Sequence, residues 1–322
     1  MDKNIINFTK SQENVYKSLC SLLEFVGLGY QGHYTNINGI NIHYLEYGKG
    51  EPLLLLHGGG AGSGIFFNQI RFFSRFYRVI VPDHPCFGLS DRTPYNKPLN
   101  DSLRNYIISF MDNLGLVKTN VVGLSMGGQG LIACLLKFPE RFLKVILMDS
   151  AGLGKEFPLV FRLATVPILG KFLINKNNNR SNDMLIKNLE VQSTRFPGFD
   201  VYKDYAFKVT KVDNHSEALR KSLYSVTNIF GQKMIFNDKE LSSIQKNILI
   251  IWGENDKIFP LRHGYRIKKL VENSSLELVK NSGHIPLVEK SKKVNLLMRK
   301  FLLDINWYES KWRYKKIKNI IW

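Results

Sequence analysis

Four short runs constrain this chain more than any other feature: Leu53-Leu54-Leu55-Leu56, Val79-Ile80-Val81, Val145-Ile146-Leu147-Met148 and Ile248-Leu249-Ile250-Ile251-Trp252. Each is too short for an ordinary helix and is apolar at every position instead of every second one. A strand with one wet face would alternate, so a strand apolar on both faces has to be covered on both. Parallel strands lying between two layers of helices meet that condition. Between residues 53 and 149 the runs alternate with helical patterns, one at about 101–115 and another through Leu131, Ile132, Leu135 and Leu136. That is the rhythm of β-α-β units.

The flanks add detail. Val15, Leu19, Leu22, Leu23 and Val26 predict a helix over 11–29 that packs on the body of the protein. Asn38-Gly39 between Ile37 and the alternation Ile40, Ile42, Tyr44 predicts a hairpin with a type I′ turn. A last strand is expected at about 276–279 and a closing helix at about 289–303. From about 153 to 240 the strand rhythm stops. Helical patterns, an asparagine cluster at 175–179 and Phe196-Pro197-Gly198 suggest an insertion over the carboxyl edge of the sheet. The chain is therefore expected to divide into an N-terminal helical extension (1–34), a first part of the core (35–152), a helical lid (153–240), a second part of the core (241–305) and a basic, aromatic tail (306–322).

Composition narrows the class. An apolar share of 44% in 322 residues suits a water-exposed globular protein with a sizeable core. Cys20, Cys86 and Cys134 are odd in number and contain no C-x-x-C, and the seven histidines show no metal-type spacing. No cofactor and no metal is implied. Neither a signal-peptide pattern nor a run near the roughly 20 apolar residues of a membrane span is present, which points to the cytoplasm. The net charge of +18 comes without a nucleic-acid-binding signature, so no nucleic-acid partner is expected. In the tail, Trp307, Tyr308, Trp312, Tyr314 and Trp322 alternate with Lys311, Arg313, Lys315, Lys316 and Lys318. Such a segment can dock on the protein or make weak contact with an anionic membrane surface.

The chemistry concentrates in Gly123-Leu124-Ser125-Met126-Gly127-Gly128. A strand-like run ends at Gly123 and a helical run starts just after Ser125, which forces the serine into a strained turn at a helix N-terminus. Serine alone is a poor nucleophile and needs a base. Three further loops at strand ends carry distinctive residues: His57-Gly58-Gly59-Gly60-Ala61-Gly62, Asp256 after the 248–252 run, and His284 after Asn281-Ser282-Gly283. His284 would take the proton of Ser125, and Asp256 would orient the imidazole and stabilise its charged form. Asp149 also ends a strand and is the rival acid. Asp256 could instead simply cap a helix. His57, Asp83 and His84 are expected to order their own loops.

These segments resemble the α/β-hydrolase fold superfamily, in its serine hydrolase branch. HGGGAG at 57–62, DHPCFGLSD at 83–91, VVGLSMGG at 121–128, WGENDKIFP at 252–260 and SGHIPLVEK at 282–290 follow in the superfamily's order and spacing. The resemblance implies the α/β-hydrolase fold, a mostly parallel central sheet flanked by helices with a helical lid over the active site. It implies Ser125 as nucleophile, Asp256 as acid and His284 as base, with oxyanion-hole amides at Gly59 and Met126. Cys86 stands where a glycine is usual.

The expected function is hydrolysis of a small or medium apolar carboxylic ester through an acyl-enzyme. The alternative is C–C bond hydrolysis of vinylogous diketones, because the triple glycine at 58–60, Ser-Met-Gly-Gly at 125–128 and Ser-Ala-Gly-Leu-Gly at 150–154 resemble the meta-cleavage-product hydrolases. Those enzymes usually carry tryptophan directly after the histidine, where this chain has Ile285. Arg180 and Arg195 are candidates for their substrate-binding arginine. A ligand-binding receptor that turns over slowly is a further alternative.

Overall fold

The computed structural model describes residues 8–93, 98–173 and 196–304. The tail at 306–322, the asparagine cluster at 175–179, Arg180 and Arg195 lie outside the described residues.

Helix α1 (Lys10–Phe25) starts at Thr9, whose hydroxyl accepts the Gln12 amide while the Gln12 side chain accepts the Thr9 amide. This capping box satisfies two of the amide groups left over at a helix start. The helix stops short of the expected residue 29, where Gly27 turns the chain at φ 73°. Strands β1 (Gly32–Ile37) and β2 (Ile40–Tyr47) form the hairpin, with Asn38 and Gly39 both at positive φ (50° and 85°) as a type I′ turn requires. The order then runs β3 (Pro52–Leu56), α2 (Phe67–Phe73), β4 (Arg78–Pro82), α3 (Leu99–Asn113), β5 (Thr119–Leu124), α4 (Met126–Leu135) and β6 (Phe142–Met148).

The segment after β6 contains α5 (Leu159–Leu163), α6 (Pro167–Leu173), α7 (Phe199–Thr210) and α8 (His215–Val226). It also holds a two-stranded hairpin, β7 (Thr227–Asn228) and β8 (Gly231–Gln232), then α9 (Asp238–Ser242). The sheet resumes with β9 (Ile248–Gly253), α10 (Arg262–Leu270) and β10 (Ser274–Val279), and α11 (Pro286–Glu289) and α12 (Ser291–Leu302) follow.

The eight-stranded sheet has the order β1-β2-β4-β3-β5-β6-β9-β10. β1 and β2 pair antiparallel, as do β2 and β4, and every other neighbour is parallel. The apolar runs behave as their composition requires. Leu53, Leu55, Val79, Val81, Val122, Ile146, Leu249 and Ile251 face a core shared with α1, α2, α7 and α12. Leu54, Leu56, Ile80, Val121, Val145, Leu147, Ile250 and Trp252 face the opposite core, against α3, α4 and α10. Successive side chains alternate between faces, and both faces are dry. Among the described residues no helix is long and apolar enough to cross a membrane.

α1 packs on α7 through Val15, Leu19, Leu22 and Leu23, and Ser11 donates to Asp213 at 2.7 Å. The N-terminal helix therefore braces part of the segment inserted after β6.

Candidate active site

Ser125 sits between β5 and α4 at φ 54°, ψ −115°. A non-glycine residue held in such a conformation costs about 1–3 kcal/mol, and its surroundings have to impose it. Here its amide donates to Met148 O at 2.9 Å, and its carbonyl accepts the amides of Gln129 at 3.0 Å and Ala151 at 3.1 Å. The flanking glycines are there for contact distance. A Cβ on Gly123 would lie 2.7 Å from Gly128 Cα, and one on Gly127 would lie 2.3 Å from Leu56 O. Ser125 is half-buried, whereas Leu124 and Met126 beside it are buried.

The ends of β6 and β9, next along the sheet, bring two carboxyl groups toward one imidazole. Asp256 Oδ2 lies 2.8 Å from His284 Nδ1, and both side chains are buried. Asp256 Oδ1 accepts the amides of Ile258 at 2.7 Å and Phe259 at 3.2 Å. One oxygen faces the histidine, and the other holds the turn at 256–259; it caps no helix, because α10 starts only at Arg262. An ionised Asp256 makes Nδ1 the donor and leaves Nε2 with a lone pair, the tautomer a general base needs. Phe259 stands edge-on to the ring at 5.3 Å. Glu289 Oε1 fixes the loop by accepting the Gly283 amide at 2.8 Å and the Ser282 hydroxyl at 3.2 Å. Among the described residues neither Ser125 Oγ nor His284 Nε2 makes a hydrogen bond; such contacts commonly tighten only when substrate binds.

Asp149 does not pair with His284. Its Oδ1 accepts the Gly253 amide at 2.8 Å, and its Oδ2 is buried without a hydrogen-bond partner. Burial, followed by the charge of Asp256, pushes its pKa well above the usual carboxylate range. One oxygen of Asp149, one of Asp256 and a ring nitrogen of His284 lie within 4.8 Å of one another. Asp256 is already committed to two amides and an imidazole.

The glycine loop after β3 faces the elbow. A Cβ on Gly58 would sit 3.1 Å from Ser125 Cβ, and one on Gly59 would sit 3.5 Å from Met126 Sδ. His57 is fully buried and orders this loop. Its Nε2 accepts the His84 amide at 2.9 Å, so Nδ1 carries the hydrogen and donates to Gly58 O at 2.7 Å. In a trans peptide the carbonyl and the following N–H point opposite ways, so holding Gly58 O on His57 turns the Gly59 N–H away from it. Burial keeps His57 neutral by lowering its pKa.

Asp83 ties the neighbouring loops together. It accepts the Ser63 and Leu89 amides and pairs with His43 Nδ1 at 2.7 Å. Burial alone would raise its pKa, but the His43 pairing and the amide bonds outweigh it and hold the group at about 2. Cys86 lies in that loop at φ 74°, the region glycine occupies freely, which accounts for the usual residue there. Burial moves its thiol up to about 11.

Two contributors were not singled out from sequence. His43 occupies the face of β2 opposite Ile42 and Tyr44, and a polar residue in that alternation was the available signal. Tyr205, on α7, accepts the Gly64 amide at 3.1 Å and carries no sequence signal at all. From α8, Leu219 Cδ1 lies 3.6 Å from where a Gly60 Cβ would be, and Ala218 clusters with Met126 and Phe87.

A sequence model of the α/β hydrolase fold matches residues 51–291. The chain belongs to that family. Among named relatives, this α/β-hydrolase is 28% identical over 281 residues to the 2-hydroxy-6-oxo-6-phenylhexa-2,4-dienoate hydrolase of Burkholderia cepacia, covering 83% of this chain and 93% of that protein. It is 30% identical over 276 residues to the 2-hydroxy-6-oxononadienedioate/2-hydroxy-6-oxononatrienedioate hydrolase of Escherichia coli (strain K12), covering 82% and 91%. The carboxylesterase CesB of Bacillus subtilis shares the fold, with a TM-score of 0.75 at 22% identity over 92% of this chain and 100% of that one.

Proposed function

We propose that this α/β-hydrolase attacks a substrate carbonyl with Ser125, using His284 as base and Asp256 as its acid partner. The observation that carries the reading is the Asp256–His284 hydrogen bond on loops at the same carboxyl edge of the sheet as the strained serine. His284 takes the Ser125 proton as Oγ bonds to the carbonyl carbon, and returns it to the leaving group. The resulting oxyanion sits at the start of α4, opposite the glycine loop, where the amides of Gly59 and Met126 are the natural donors. Water then hydrolyses the acyl-enzyme by the same route.

The cleaved bond is a C–C bond next to a carbonyl in a 2-hydroxy-6-oxo-dienoate-type substrate, the class named for relatives 28–30% identical over most of both chains. The second reading, favoured by Ile285 after the histidine, is a small or medium apolar carboxylic ester. Segment 153–240 acts as the lid in either case, with Leu219 and Ala218 of α8 reaching the glycine loop and the elbow in support.

Turnover of vinylogous diketones and of short and long p-nitrophenyl esters by the parent and by Ser125→Ala tests both points. Loss of about 10⁴–10⁶-fold in kcat, with fluorophosphonate labelling abolished, is expected for the variant. Labelling at another serine would end the reading. Ester turnover without diketone turnover would move the cleaved bond to the ester.

A further inference from the structure

The sheet delivers a second carboxyl group to the acid–base couple, and the mechanism above gives it no task. Asp149 sits at φ 42°, a backbone conformation that few residues other than glycine, asparagine and aspartate take up. Its backbone amide is held by Ile251 O at 3.1 Å, and its Oδ1 by the Gly253 amide. The remaining oxygen, Oδ2, is buried and unpartnered. An anion there would leave an acceptor unsatisfied in a dry site, whereas a carboxylic acid would have a proton to donate. The groups facing it are Asp256, His284 and Glu289, with His263, itself paired to Glu156 at 2.6 Å, beyond Asp256. Two carboxyl groups this close do not both ionise. Asp256, with both oxygens in hydrogen bonds to N–H groups, is the better anion, and the proton falls to Asp149.

We propose that Asp149 is a neutral carboxylic acid held against Asp256, a positioning residue that keeps a single negative charge beside His284 and replaces Asp256 as the imidazole's partner when Asp256 is neutralised. The proposal rests on the roles of Ser125, His284 and Asp256 given above. Removing the Asp256 charge removes the second of the two influences that keep Asp149 protonated, burial being the first, so ionisation shifts toward lower pH. Asp149 then releases its proton to solvent, and its carboxylate moves in from a starting separation of no more than 4.8 Å from a ring nitrogen of His284 to accept the imidazole N–H. Asparagine at 149 mimics the neutral acid: it tolerates the same φ, its oxygen still accepts from Gly253, and its NH₂ donates where the carboxylic O–H did. It cannot ionise.

The test uses the full chain and the variants Asp149→Asn, Asp256→Asn and the double variant, read by pH-dependent turnover and by infrared spectroscopy. Asp149→Asn keeps the neutral donor but cannot ionise, and serves as the single-variant reference for the double variant. Asp256→Asn should lose roughly 10–100-fold, less than the ~10⁴-fold that follows when no acid takes over. Its residual activity should climb with pH as Asp149 ionises. The double variant should lose about a further 100-fold together with that pH limb. At neutral pH the parent should show the carbonyl band of a buried protonated carboxyl, absent from Asp149→Asn. An Asp256→Asn variant already as slow as the double and flat in pH, or a parent without the band, overturns the proposal. Full turnover by Ser125→Ala would sink the catalytic reading instead and leave the infrared result intact.

Discussion

Among the described residues two buried histidine–aspartate hydrogen bonds join the same kinds of atom. His43 Nδ1 meets Asp83 Oδ2 at 2.7 Å, and His284 Nδ1 meets Asp256 Oδ2 at 2.8 Å. The difference lies on the far side of each imidazole. His43 Nε2 is closed off by the Tyr30 hydroxyl at 3.0 Å, and Asp83 is further tied to the Ser63 and Leu89 amides. His284 Nε2 has no hydrogen-bond partner among the described residues, and its loop follows β10 at the same carboxyl edge of the sheet as the elbow. A histidine–aspartate pair is therefore not in itself a catalytic device. It becomes one when the second ring nitrogen is left open beside a group that can react.

The largest expected effect separates the two pairs. His284→Ala should lower kcat per folded molecule by about 10³–10⁵-fold, and it lowers the urea midpoint as well because it leaves the buried Asp256 without its imidazole. His43→Ala should cost stability with little kinetic loss. It strands the buried Asp83 carboxylate, and breaking such a pair from one side costs about 3–5 kcal/mol. A urea titration should show that loss, with turnover per folded molecule reduced less than tenfold. Equal kinetic damage from both variants would break the comparison.

His215 supplies the third case, a buried histidine with no hydrogen-bonded acid among the described residues. Burial, with Arg92 nearby, lowers its pKa to about 3. Its folded form refuses a proton that the unfolded chain accepts below about pH 6.5. Stability therefore falls as the pH drops from about 6.5 toward 3, by about 1.4 kcal/mol per unit. His215→Gln should flatten that slope in pH-dependent denaturation, whatever it does to stability at pH 7. An unchanged slope would mean that His57 and His84, also kept neutral by burial, account for it.

Much of this was legible in the sequence because the signals were local. Runs apolar at every position announced strands covered on both faces, and Asn38-Gly39 announced its turn. The elbow was visible because its glycines stand within three residues of Ser125. Cys86 looked like a departure from pattern, and its φ of 74° is the physical reason the pattern exists. The illegible part was long-range. His43 finds Asp83 across 40 positions, through the antiparallel pairing of β2 with β4, and Tyr205 finds Gly64 across 141. The β7–β8 hairpin escaped notice because two-residue strands have no periodicity to read.

The pairing of β6 with β9 has a consequence for how the protein is made. β6 ends at Met148 and its parallel neighbour begins only at Ile248. At roughly 5–20 residues per second, translation leaves that apolar edge bare for on the order of ten seconds. The growing chain thus carries its stickiest border longest at the middle of the finished sheet, a demand that falls on whatever shields nascent chains. On the proposed mechanism the same order of emergence keeps the chemistry silent during synthesis. Ser125 is in place early, and His284, its proposed base, leaves the ribosome only after that border has been covered.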